Sequence, residues 1–119
     1  MPGTVLVVDD DPAFRGLATR LLRDWGYDVV GGAGSVAEAS TLAAQLRPQW
    51  ALVDLALPDG NGFDLALRLA ALPGAARVVL VSADADPAYA RAALRAGAQG
   101  FLPKAELTRA GLAELLEGR

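Results

Sequence analysis

Along the chain, short runs of consecutive apolar residues alternate with longer stretches in which apolar residues recur every three or four positions. The first run, Thr4–Val8, shows little inside–outside alternation, which predicts a strand buried on both faces. Pro12 suits the first turn of a helix with Asp11 as its N-cap. Phe14, Leu17, Leu21 and Trp25 then form one apolar stripe, closed by Gly26. Residues 28–30 read as a short second strand, followed by a loose Gly31-Gly32-Ala33-Gly34. Ser35 and Glu38 make a capping box, and the helix they open turns Val36, Ala39, Ala43 and Leu46 inward before stopping at Pro48. Residues 50–53 form a third strand and 54–62 a loop; a helix from about Asn61 or Gly62 reaches Leu72, where Pro73-Gly74 breaks it. The fourth strand covers 77–81, and Asp86-Pro87 caps a helix ending at Gly97. Residues 99–102 form the fifth strand, and a last helix runs from about Ala105 to Leu116.

Five strands in strict alternation with five helices imply βαβ units and a parallel sheet covered by helices on both faces, a three-layer αβα sandwich. At 119 residues and 53% hydrophobic composition the chain supports one core, so a single domain over 1–119 is expected. The net charge of −3, with scattered arginines, gives no footprint for nucleic acid or anionic membrane. Cysteine and histidine are both absent. Ser-His and Cys-His catalysis, the usual zinc ligands and a phosphorelay histidine are thereby excluded from this chain. The start, MPGTVLVVDD, lacks the charged region and long apolar run of a signal peptide. No apolar run approaches the roughly 20 residues of a membrane span, so a cytoplasmic location is expected. Against ten arginines stands a single lysine, Lys104.

In open parallel α/β sheets, ligands bind beyond the carboxyl ends of the strands. Asp9, Asp10 and Asp11 follow the first strand, Asp54 the third, Ser82 the fourth and Lys104 the fifth. The second strand is followed only by Gly and Ala, which places it at an edge away from the site. Taken singly, each residue has an ordinary explanation: a turn or cap for Asp, a solvated hydroxyl for Ser, a surface charge for Lys. Asp11, Asp59 and Asp84 are read in that ordinary way. Together the others converge on one sheet edge. Clustered carboxylates repel unless a cation lies among them, and oxygen-only ligands select a hard ion, Mg²⁺ or else Mn²⁺ or Ca²⁺. A carboxylate, such a metal, a hydroxyl and an ammonium at one point make a phosphoryl-transfer site, with Asp as nucleophile.

VLVVDDDP, VDLALPDGNG, VVLVSA and AGAQGFLPKA, in this order and at these spacings, closely resemble the receiver domain of two-component response regulators, over essentially the whole chain. The resemblance implies a chemotaxis-regulator-like, flavodoxin-like fold with sheet order 2-1-3-4-5. It implies that Asp54 accepts a phosphoryl group from a sensor histidine kinase or phosphotransfer protein, with Mg²⁺ as cofactor. Asp10 would bind the metal directly and Asp9 mainly through water, with Asp54 and the backbone carbonyl of Ala56 completing the ligands. Ser82 and Lys104 would bind phosphoryl oxygens. Ser82 and the aromatic Phe101 would form the switch, shifting the face of helix four, strand five and helix five to an active state. Phe101 is equally readable as a plain core residue of strand five. The resemblance also implies a phosphoprotein that catalyses only its own phosphorylation and dephosphorylation, rather than an enzyme. Expected partners beyond the kinase are an output domain or separate effector and a second copy paired through that same face.

Some positions depart from the family pattern. The family's lysine is usually followed by proline; here Pro103 precedes Lys104 and Ala105 follows, which leaves the cis or trans state of the Lys104–Ala105 bond open. Ala56 has no side chain to position a hydrolytic water. AGAQGFLPKA looks more like regulators that carry a helix-turn-helix output domain, and no such domain is expected within these 119 residues. Two other readings compete. A phosphatase of the haloacid dehalogenase type wants Thr or Val where Ala13 stands. A phosphorylation-independent interaction module would keep the fold without using the site. No phosphate-binding glycine loop of the Walker or dinucleotide kind is present.

Overall fold

The computed structural model describes residues 3–117. Met1, Pro2, Gly118 and Arg119, the ends of the expected 1–119 domain and the first residues of MPGTVLVVDD, lie outside the described residues. The elements run β1 (Thr4–Val8), α1 (Pro12–Asp24), β2 (Asp28–Ala33), α2 (Val36–Leu46), β3 (Trp50–Asp54), α3 (Gly62–Ala70), β4 (Arg77–Ser82), α4 (Ala88–Arg95), β5 (Gly100–Pro103) and α5 (Arg109–Leu116). The five strands form one parallel sheet in the order 2-1-3-4-5, the flavodoxin-like arrangement.

The absence of polar–apolar alternation in the central strands has a direct cause: both faces are covered. Leu6, Val8, Ala51, Val53, Val78 and Leu80 pack with Ala39, Ala43, Leu65, Leu69 and Ala93 from α2, α3 and α4. The intervening residues Val5, Val7, Trp50, Leu52, Val79 and Val81 pack with Ala18, Leu22, Leu112 and Leu116 from α1 and α5. Burying each Val or Leu contributes about 1.5–3 kcal/mol relative to exposure. Among the described residues no helix is long and apolar enough to cross a membrane.

Several expected boundaries and faces are corrected. The second strand continues to Ala33, because β1 offers ladder partners to the glycines: Leu6 pairs with Gly31, Val7 with Gly32 and Val8 with Ala33. A register shift between Val5 and Leu6 absorbs the extra residue. A Cβ on Gly31 would lie 3.0 Å from Leu46 Cδ1, so a bare backbone suits this close packing. Leu17 and Leu46, expected to face inward, are 44% and 42% exposed. The face of α1 that meets the sheet is Ala18 and Leu22, flanked by the partly buried Phe14 and Trp25; small Ala18 lets the helix sit close. The third helix stops at Ala70 instead of Leu72, and β4 and β5 end one residue later than expected.

The last helix also starts later than expected. Ala105 lies in a short 3₁₀ turn, Lys104–Glu106, and α5 opens at Arg109, where the Thr108 hydroxyl accepts the Gly111 N–H at 3.0 Å. The described peptide bonds are all trans, Lys104–Ala105 included.

Candidate phosphoryl-transfer site

Strand register builds the site. Val8 of β1 is paired with Val53 of β3, so Asp9 and Asp54 leave neighbouring parallel strands at the same level. Adjacent strands lie about 4.8 Å apart, which forces the two carboxylates together. Asp54 in turn pairs with Val81, and Ser82 with Pro103, so Ser82 and Lys104 each stand one step beyond on β4 and β5. Asp9, Asp10 and Asp54 bring one carboxylate oxygen each within 4.8 Å of the others. Asp9 is fully buried, Asp54 is 6% exposed and Asp10 faces solvent.

Lys104 meets both buried acids. Its Nζ lies 2.7 Å from Asp9 Oδ2 and 3.4 Å from Asp54 Oδ2, and on another side 4.2 Å from the centroid of the Phe14 ring. Burial pushes the Asp54 carboxyl above its ordinary value, and the negative charge of Asp9 adds to this; Lys104 and the Ala56 N–H offset only part of it. Burial opposes the charge on Lys104, but its hydrogen bond to Asp9 and the field of Asp54 outweigh that, and its pKa lies above the ordinary lysine value. Three carboxylates gathered against one ammonium leave the cluster short of positive charge. The donor set is oxygen only, which suits a hard divalent cation held by Asp9, Asp10 and Asp54.

The loops around the site are tied down. Asp11 caps α1 by accepting the Ala13 N–H at 2.9 Å, its ordinary expected role. Asp9 Oδ1 accepts the Asp11 N–H at 2.8 Å, and Arg15 donates to the Asp9 carbonyl at 2.5 Å. After Asp54, Ala56–Leu57 and Gly60–Asn61 form a small antiparallel ladder within the expected loop. At its tip Asp59 accepts the Val36 and Ala37 N–H groups at 2.7 and 3.0 Å, which fixes the ladder to the start of α2. Those bonds hold the Asp59 carboxyl below its ordinary value. Gly62 passes so close to β3 that a Cβ there would meet the Asp54 carbonyl oxygen at 2.6 Å.

Ser82 and Phe101 have other partners. The Ser82 hydroxyl accepts the Asp84 N–H at 3.0 Å. Phe101 is partly buried against the α2–α3–α4 core and meets the Tyr89 ring edge-on, centroids 5.3 Å apart; Tyr89 in turn tilts against Phe63 at 6.2 Å. Ala56 opens the small ladder. Sequence reasoning missed Phe14 and Arg15 as neighbours of the acid cluster, Asp59 as a tie between loops, and Tyr89 as the partner of Phe101. The start of α1, five and six residues beyond Asp9, was the available signal for the first two.

A family model for the response regulator receiver domain matches residues 5–117. The DNA-binding transcriptional activator DevR/DosR of Mycobacterium tuberculosis is 43% identical over 100 residues, covering 83% of this chain and 46% of that protein. The DNA-binding response regulator MtrA of Mycolicibacterium smegmatis is 39% identical over 101 residues, covering 84% of this chain and 43% of that protein. The chain thus spans about half the length of these relatives. Among solved structures, a two-component response regulator of the LuxR family from Aurantimonas sp. superimposes with a TM-score of 0.86 at 32% identity, covering all of this chain and 89% of the other. The chain belongs to the receiver domains of two-component response regulators.

Proposed function

We propose that the chain acts as one receiver domain, residues 1–119, in which Asp54 takes a phosphoryl group from the phosphohistidine of a sensor kinase or phosphotransfer protein. An Asp54 carboxylate oxygen attacks phosphorus, the O–P bond forms, and the N–P bond breaks with its electron pair returning to the donor imidazole, which takes up a proton. The single observation that carries this reading is the Asp54 carboxylate, buried beside Asp9 with its pKa held up, 3.4 Å from the chain's one ammonium side chain.

Asp9, Asp10, Asp54 and the Ala56 carbonyl would hold Mg²⁺. Asp10 suits the direct ligand because it is exposed. Asp9 suits contact through water, because its oxygens already serve the Asp11 N–H and Lys104. Bound there, Mg²⁺ supplies positive charge that offsets the charge on the phosphoryl oxygens. Lys104 and Ser82 bind those oxygens. To reach them, the Ser82 hydroxyl gives up its bond to the Asp84 N–H, which turns it toward Asp54 and opens room on the sheet edge for Phe101 to enter. Phe101 carries Tyr89 and α4 with it, so the face of α4, β5 and α5 reports the state to a second copy, an output domain or a separate effector in the cytoplasm.

Beryllofluoride with Mg²⁺, which mimics the acyl phosphate, tests this reading by NMR. It predicts shifts centred on Asp54, Ser82 and Lys104 that extend to Phe101 and Tyr89. A silent titration at millimolar additive would favour a phosphorylation-independent interaction module.

A further inference from the structure

We propose that Phe14 is a positioning residue for Lys104: its ring face holds the ammonium against the acid pair and keeps one N–H free for a phosphoryl oxygen. The inference rests on Lys104 being the phosphoryl-binding cation. A lysine ammonium has three donors on a flexible four-carbon stem and would otherwise sample many positions. Here Asp9 and Asp54 face it at 2.7 and 3.4 Å, and the Phe14 centroid lies 4.2 Å away, well inside the range of a cation–π contact. An aromatic face attracts the whole charge without claiming a proton, which a carbonyl or hydroxyl in the same place would do. It also excludes water from that side, so a phosphoryl oxygen competes with less solvent.

Phe14 is well placed for this. It is partly buried against the α1–α5 core, on the first turn of a helix fixed by Pro12 and the Asp11 cap. The Lys104 side chain is only 19% exposed, so most of it is packed against its neighbours.

Labelled phosphoryl incorporation from acetyl phosphate at saturating Mg²⁺ tests the idea on the full chain. Phe14→Leu keeps the apolar volume and removes the ring face; it is expected to slow incorporation about three- to tenfold, while Phe14→Tyr and Phe14→Trp stay within about twofold of the parent. In a Lys104→Met background, Phe14→Leu is expected to add nothing. A Phe14→Leu rate equal to the parent's overturns the inference, as does a loss that persists undiminished in the Lys104→Met background. A parental rate for Lys104→Met alone overturns the assignment of Lys104 itself, and with it the inference. A second readout needs no phosphoryl donor: in the parent, the Lys104 ε-methylene protons over the ring resonate upfield, and in Phe14→Leu they return toward their ordinary position. Unshifted ε-methylene protons in the parent also overturn the inference.

Discussion

Lys104 places its ammonium 2.7 Å from Asp9 Oδ2, closer than its 3.4 Å approach to Asp54. The fully buried acid is thereby neutralised first, and the acid proposed as nucleophile is left with incomplete compensation. Burial, then Asp9, raises the Asp54 pKa, so its carboxylate is more basic than an ordinary one.

Removing the ammonium leaves two buried carboxylates facing each other. Lys104→Met is expected to destabilise the metal-free domain by about 1–3 kcal/mol, below the usual cost of breaking a buried pair because the lysine head is partly solvated. Urea unfolding measures this. Added Mg²⁺ is expected to recover part of the loss by supplying the missing positive charge.

Mg²⁺ itself is expected to stabilise the parent. At ten times its dissociation constant the gain is about 1.4 kcal/mol, visible as a rise in melting temperature. Asp10→Asn is expected to shrink that rise at the same Mg²⁺ concentration while leaving the metal-free melting temperature almost unchanged, because Asp10 is exposed.

The two shifted carboxyls have opposite pH signatures. With its raised pKa, Asp54 keeps its proton longer in the folded state than in the unfolded one. Metal-free stability therefore falls as pH rises from the ordinary carboxylate value of 3.8 through the raised one. Asp59 is lowered, so its contribution is present above its ordinary value and is lost as pH falls through the lowered one. Stability profiles measured for the parent, Asp54→Asn and Asp59→Asn are expected to differ in these two senses, the first variant losing the fall and the second losing the acid-side drop.

Gly62→Ala is expected to destabilise the fold by about 1–3 kcal/mol, because the new Cβ would meet the Asp54 carbonyl oxygen, a backbone atom that cannot swing away. Chemical denaturation measures the loss. Gly16→Ala, where a Cβ meets nothing within 4 Å, is the control expected to leave stability unchanged or slightly raised.

The sheet and its polar edge were legible because period and punctuation are local. The run Thr4–Val8, the N-cap at Ser35 and the polar residues near the carboxyl ends of the strands could be placed without knowing any partner. What escaped was set by contacts across the fold. Gly31 and Gly32 look loose until β1 offers them a ladder, and Leu17 looks inward until Ala18 proves to be the residue small enough to meet the sheet. Asp59 reads as a turn residue until α2 brings two amides to it from more than twenty positions away. Phe14 likewise joins the site only because β5 carries Lys104 over its ring.

The most direct test of Asp54 as phosphoacceptor is to incubate the parent and Asp54→Asn with Mg²⁺ and a labelled phosphoryl donor, then locate the label by peptide mapping. The expected result is label on Asp54 in the parent and none above background in the variant. Equal labelling of Asp54→Asn, or label found on Asp9, would contradict the account.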